Sequence, residues 1–229
     1  GRISQYDLVY ESPPVDPLQG IALGNGEVTA LIWCEESKII IALNKSDLWE
    51  DASFGSFGNW NKDQEDISTT LRHAGRFIID FKYPLFSTLF LTEFSARLSI
   101  AEACSGLTAS SPFGKINLDF FIEKDSGLLF IDMKTDFEED SPVEIALERF
   151  GSRTYSHWYS QINGDAFIGT SGTSTAADEG GLMITQQLND LNFTTIVRVL
   201  SEMPEGTRYI REHSRRGVIE IPKGRQLNL

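Results

Sequence analysis

Lys115-Ile116-Asn117-Leu118-Asp119-Phe120-Phe121-Ile122-Glu123, then Lys124-Asp125-Ser126-Gly127, then the run to Thr135, is the stretch whose reading decides the fold. Segments 115–123 and 127–135 each read as a short strand. Between them, Lys124-Asp125-Ser126-Gly127 is a hairpin signal with glycine at the left-handed position. The same pattern extends outward in both directions. Lys38-Ile39-Ile40-Ile41-Ala42-Leu43 is an apolar, β-branched run after the turn-like Glu35-Glu36-Ser37. Segments 76–81, 88–94 and 97–101 are bounded by Gly, Pro or Ser. In Arg97-Leu98-Ser99-Ile100-Ala101-Glu102 every second residue is apolar, which marks a sheet with one buried and one wet face. Segments 142–150, 181–188 and 193–200 continue the series, the last two split by the turn residues Asn189-Asp190-Leu191-Asn192.

Helix signals are few. The best window is 63–73, where Asp66 caps and Ile67 and Leu71 sit four apart; its Ser68, Thr69 and Thr70 limit it to one or two turns. The expected fold is therefore all-β, a large antiparallel β-sandwich with at most one or two short helices. Long loops are expected at 48–65 and 169–179, the second low in complexity and mobile. No repeat and no linker divides the chain, so residues 1–229 read as a single β-sandwich domain. Gly217 to Ile221 looks like a strand, Pro222-Lys223-Gly224 a turn, and 225–229 the opening of another strand. A chain seldom stops as a strand begins, so the expectation is an N-terminal piece of something longer.

Composition narrows the function classes. The 229 residues carry 20 Lys+Arg against 33 Asp+Glu, a net charge of −13. Nucleic acid is excluded as a partner, because phosphate neutralisation needs clustered basic charge. No apolar run is long enough for a membrane span. The two cysteines, Cys34 and Cys104, belong to no metal or redox spacing and read as small buried hydrophobes. The histidines His73, His157 and His213 share no ligand spacing. Neither a metal nor a cofactor is expected.

Two segments stand out as ligand candidates. Gly24-Asn25-Gly26 is a turn tolerant of positive φ that feeds an apolar strand; turn chemistry alone reads it as an ordinary hairpin. Its spacing does not suit a phosphate loop, and a strand follows where a helix belongs. Leu43-Asn44-Lys45-Ser46-Asp47-Leu48-Trp49-Glu50-Asp51 closes the Ile39 to Leu43 strand with polar groups beside an indole. That is a plausible edge for a sugar, Trp stacking on the pyranose and Asn or Asp gripping hydroxyls. Alternatively Trp49 plugs the end of the sandwich and Asp47 caps a turn.

Together these segments resemble a known family. Tyr6-Asp7-Leu8-Val9-Tyr10 with Pro13-Pro14, Leu23-Gly24-Asn25-Gly26, and Leu43-Asn44 with Leu48-Trp49 look like the start of the inverting α-L-fucosidase family of glycoside hydrolases. The version with Lys45-Ser46-Asp47 and Trp49-Glu50 resembles more closely a group of fucosidase-like glycosidases common in gut Bacteroides. The resemblance covers residues 6–51. It implies a supersandwich packed on a helical barrel that lies beyond residue 229 and carries the chemistry. It also implies that Asn25, Asn44, Asp47 and Trp49 line the mouth of the site, and that the protein is periplasmic or on the cell surface. Lys45-Ser46-Asp47 stands where the fucosidases have two acids and a threonine, a departure from their pattern at the site mouth.

Two aromatic clusters add candidates. Trp158, in Tyr155-Ser156-His157-Trp158-Tyr159, lines a carbohydrate groove or anchors an interface. Trp60, with Phe54 and Phe57 in a glycine-rich loop, marks a partner surface or a substrate rim. Inversion needs two carboxyl groups about 6.5–9.5 Å apart. The acidic pairs here sit in turns or alternate with apolar neighbours, so no catalytic residue is nominated. The reading is a non-catalytic sandwich of a carbohydrate-active hydrolase, with carbohydrate and its own barrel as partners. The alternative is a stand-alone carbohydrate-binding or adhesive module.

Overall fold

The computed structural model describes residues 3–53, 67–71, 73–149, 172–187 and 192–229. Within them the fold is all-β, as expected, with curled antiparallel sheets in a sandwich-like arrangement and no helix of seven residues or more. Helical turns occur only at Ser4–Tyr6 and Pro17–Gln19. The second is capped where Asp16 Oδ1 accepts the Leu18 N–H at 2.8 Å, with Pro17 opening the turn.

One curled eleven-stranded sheet supplies both layers. The first layer runs β2 (Ile21–Gly24), β3 (Val28–Glu35), β4 (Lys38–Lys45) and β7 (Gly75–Asp80), then the second half of β11 (Leu129–Glu148). The second runs β1 (Leu8–Tyr10), β8 (Glu93–Ser99), β9 (Cys104–Ser111) and β10 (Gly114–Ile122), then the first half of β11. β16 (Arg216–Asn228) follows β11 across both layers, and β15 (Arg208–His213) pairs with β16. Their register shifts between Asp136 and Val143, a bulge that lets two long strands turn the corner. A ribbon of β5 (Trp49–Ser53) and β6 (Ile67–Leu71) stands apart. A three-stranded sheet of β12 (Gly172–Asp178), β13 (Gly181–Gln187) and β14 (Asn192–Val197) sends Leu182 and Ile184 into the core.

Period-2 alternation builds that core. In β10, Ile116, Leu118, Phe120 and Ile122 face in while Lys115, Asn117, Asp119 and Phe121 face out. The inward set meets Ile21, Ile32, Ile39 and Ile41 of the first layer in one cluster, with Phe81, Phe120 and Phe137 sealed from solvent. Burying each such ring is worth about 1.5–3 kcal/mol. The first layer also has an outer apolar strip of Trp33, Ile40, Ile78, Ala146 and Val218. Beside it, Lys82 bonds Asp80 (3.0 Å) and Glu144 (2.7 Å), and Arg216 bonds Glu144 and Glu212 (2.7 Å), tying β7, β11 and β16 together.

Several expectations need correction. Residues 67–71 form strand β6, not a helical turn, because the Ser-Thr-Thr run finds a pairing partner in Trp49–Ser53. Residues 172–178 form a strand on β13, where a loop was expected. Segments 127–135 and 142–150 are not two strands; 129–148 is continuous, because Glu138-Glu139-Asp140 forms a bend in a paired strand. Pro222-Lys223-Gly224 likewise lies inside β16, and Leu229 completes its pairing with Met133 in both directions. Segment 88–94 is mostly turn, with β8 starting only at Glu93, and Ile100 falls in the turn after it.

Candidate functional site

Three turns meet at one corner of the sandwich: 25–27 between β2 and β3, 46–48 between β4 and β5, and 123–128 between β10 and β11. Asn25 organises the first. Its Oδ1 accepts the N–H groups of Val28 (2.8 Å) and Glu27 (3.0 Å), the side-chain turn for which asparagine is suited. Gly26 sits at φ +94° with open space beyond it, so backbone conformation alone asks for glycine. Asn25 Nδ2 then reaches across to the Lys124 carbonyl at 3.1 Å. There Glu123 accepts the N–H of Asp125 (3.1 Å), and Gly127, at φ +66°, takes the left-handed position the hairpin signal required. The Ser126 hydroxyl and the Ser126 and Asp125 N–H groups hold the Glu123 carboxyl below its usual range.

The second turn locks onto the first. Ser46 N–H donates to the Glu27 carbonyl at 2.8 Å, and the Lys45 ammonium lies between Asp47 and Glu27, 2.7 Å from the latter. The hydrogen bonds to Asp47 and then Glu27 raise the Lys45 pKa. Leu48, only 6% exposed, is the buried residue of this turn. Trp49 does not plug this end: it is 50% exposed, and its indole N–H donates to the Ser46 carbonyl at 2.7 Å. The bond fixes the ring while its apolar surface remains half open. Asn44 is half-buried opposite Thr29, and its amide has no hydrogen-bond partner among the described residues.

Four of the six candidate residues, Asn25, Asn44, Asp47 and Trp49, are thus brought to one corner. Trp60 and Trp158 lie outside the described residues. Within the four, bonding divides. Asn25 and Asp47 are committed to neighbouring groups of the chain, whereas the Asn44 amide has no partner among the described residues and the Trp49 ring is half exposed. Among the described residues, Asp7, Asp80 and Glu123 are held below the ordinary carboxyl range, Asp7 chiefly by Arg97, Asp80, against its burial, by Lys82 and Ser37, and Glu123 by Ser126, the opposite of what a general acid needs. No group of three or more metal-ligating side chains occurs among the described residues. No helix in them is long and apolar enough to cross a membrane. Cys34 and Cys104 are unpaired, the first buried and the second half-buried.

One polar surface was not anticipated. On the outer face of β8–β11, Arg97, Asp119, Asp132 and Lys134 surround Gly106 in a shallow groove of about 520 Å³. In the structure Asn117, Asp119 and Phe121 face outward from β10, and register brings them beside Arg97 and Asp132.

No protein-family model matches the chain, and no curated protein matches it.

Proposed function

We propose that this chain is the non-catalytic β-sandwich of a carbohydrate-active glycoside hydrolase of the fucosidase-like kind. In this reading it packs on a helical barrel beyond residue 229, lines the mouth of that barrel's site, and works in the periplasm or at the cell surface. The observation that carries it is the corner itself. The two segments bearing the resemblance, Gly24-Asn25-Gly26 and Asn44 to Trp49, meet through the Ser46–Glu27 bond; Trp49 there presents a fixed, half-open indole, and Asn44, near the end of β4, has an amide without a hydrogen-bond partner among the described residues. A stacking ring next to a few placed polar groups is how neutral sugars are held. Exposed Leu8 and Val9 of the edge strand β1, with Tyr6 in the turn before it, give a docking domain apolar surface to cover.

The test has two parts. The purified chain is incubated with nitrophenyl glycosides, including the α-L-fucoside, and the reading frame is followed past the codon for Leu229. No turnover, with several hundred further residues of paired amphipathic helices, is the expected result. Turnover by residues 1–229 refutes the non-catalytic assignment. A stop codon soon after Leu229 refutes the barrel and leaves the stand-alone binding module, for which Trp49→Ala is the deciding variant.

A further inference from the structure

The outer face of the second layer is a grid set by strand register. One row across four strands reads Arg97, Gly106, Asp119, Asp132. The row on one side reads Ser95, Thr108, Asn117, Lys134, and the row on the other reads Ser99, Cys104, Phe121, Phe130. Gly106 leaves a gap in the middle row, which forms the floor of the groove. A Cβ there lies 3.1 Å from Asp119 Oδ1, so a side chain at this position would fill the space.

The walls are held in place from outside the groove. Asp7, whose side chain is 3% exposed, accepts Arg97 Nε (2.9 Å) and Nη2 (2.6 Å) and the Ile100 N–H (2.9 Å). Arg97 Nη1 is left over from that pairing. Thr108 Oγ1 donates to Asn117 Oδ1 at 3.0 Å, which turns the Asn117 amide N–H groups outward. Asp119 has no hydrogen-bond or ion-pair partner among the described residues and stands directly opposite Asp132, a like-charge cross-strand pair that is unfavourable. Lys134 approaches Asp132 at 3.4 Å. In the row of the sheet next to the groove floor, outside the groove's own lining, Phe121 and Phe130 stack, ring centroids 4.9 Å apart and planes 11° apart, with Phe121 still 44% exposed on the sheet face.

We propose that this groove, floored by Gly106, walled by Arg97, Asn117, Asp119, Asp132 and Lys134, and flanked by the Phe121–Phe130 stack, binds a neutral saccharide segment. The charges select that class. Asp7 takes up Arg97, which leaves Lys134 against Asp119 and Asp132, and the chain as a whole carries −13, so a polyanionic ligand is repelled. What remains is a surface of outward donors and acceptors beside an apolar ring edge, matched by hydroxyl groups on one side of a sugar and C–H groups on the other. The site is separate from the Asn44–Trp49 corner. It shares with the function proposed above only the carbohydrate class of ligand.

The experiment is calorimetric titration of the purified chain with cellohexaose, xylohexaose, mannohexaose and galactohexaose, and with pentagalacturonate as the acidic comparator. Wild type, Gly106→Val, Asp119→Ala and Trp49→Ala are run in parallel, with thermal melts to confirm folding. The expected result is binding of at least one neutral oligosaccharide, weakened tenfold or more by Gly106→Val and by Asp119→Ala, and unchanged by Trp49→Ala. Binding retained in both groove variants but lost in Trp49→Ala overturns the groove and supports the corner. Binding of none of the neutral hexasaccharides, or preference for pentagalacturonate, overturns the groove directly while the barrel and turnover tests still stand for the function above. Asp119→Ala, at an exposed position, keeps the answer readable if Gly106→Val fails to fold.

Discussion

Asn25→Ala separates a turn-building role from a ligand-gripping one. The Asn25 side chain makes one half-buried acceptor bond to the Val28 N–H, one exposed bond to the Glu27 N–H, and one donor bond to the Lys124 carbonyl. At about 0.5–1 kcal/mol net for each, alanine loses about 2 kcal/mol. For a chain of this size that is about 4–8 °C in Tm. Asn25→Asp is the control. Aspartate keeps both accepted N–H bonds but turns a carboxylate oxygen toward the Glu123 and Lys124 carbonyls, where Nδ2 had donated, so it loses about 1 kcal/mol. Urea unfolding followed by far-UV circular dichroism measures both, with an unchanged m-value showing that the unfolded state is the same. The reasoning is refuted if Asn25→Ala stays within about 0.5 kcal/mol of wild type, a margin near the resolution of such measurements. It is also refuted if Asn25→Asp falls as far as Asn25→Ala, since the two accepted bonds then contribute nothing.

Three other outcomes are expected. Gly181→Ala unfolds the chain or lowers its stability by about 3 kcal/mol or more, because the new Cβ lies 2.0 Å from the Val197 carbonyl oxygen at φ +118°, whereas Gly26→Ala, in open space, costs about 1 kcal/mol; paired chemical denaturation curves check both. Burial alone pushes the Asp80 carboxyl up, but the Lys82 N–H and ammonium and the Ser37 hydroxyl hold it net below its ordinary 3.8, so its contribution is present above the unfolded pKa and lost as pH falls through the lower folded one. Asp80→Asn is therefore less stable than wild type at pH 7, by about 1–2 kcal/mol, and the two stability curves converge in acid; parallel curves would contradict this pairing. Burial pushes the Cys34 thiol well above its usual range, and burial and then Glu102 raise that of half-buried Cys104, so a disulfide reagent at pH 7.5 labels Cys104 slowly and Cys34 only on unfolding, as peptide mapping will report.

Much of the fold was legible because its signals are local. The Lys38 to Lys45 strand, the Gly114 to Ile122 strand and the glycine at 127 follow from β-branched runs, alternation and a single positive φ. The errors share a cause. Glu138-Glu139-Asp140 and Pro222-Lys223-Gly224 carry the composition of turns, yet they sit at the bulge of two long strands whose pairing on either side, Lys134 to Asp136 and Val143 to Glu148 with β16, carries the chain through as strand. The Gly-Ser-Thr-Ala run at 172–178 is too plain to specify a strand, and β13 supplies the pairing that makes it one.

The candidate site divides along the same line. Asn44 and Trp49 were visible as a polar strand end beside an indole, and their meeting with the 25–27 turn depends on the contact between Ser46 and Glu27. That Leu48 is buried at the corner while Trp49 stays half exposed depends on how the β4–β5 turn is packed. The groove was out of reach altogether: Arg97, Gly106, Asp119 and Asp132 become neighbours only through three separate strand registers.

By itself, then, the sequence determined the all-β class, the alternation that divides wet from buried faces, and the turns at Gly26 and Gly127. These are settled within a few residues by backbone sterics and by the apolar pattern. Only the tertiary structure decided that β11 and β16 cross between layers, which residues share a row on the sheet, and which side chains of the corner stay open. Those features depend on hydrogen-bond register between strands far apart in the chain, and register is chosen by the burial of whole faces at once.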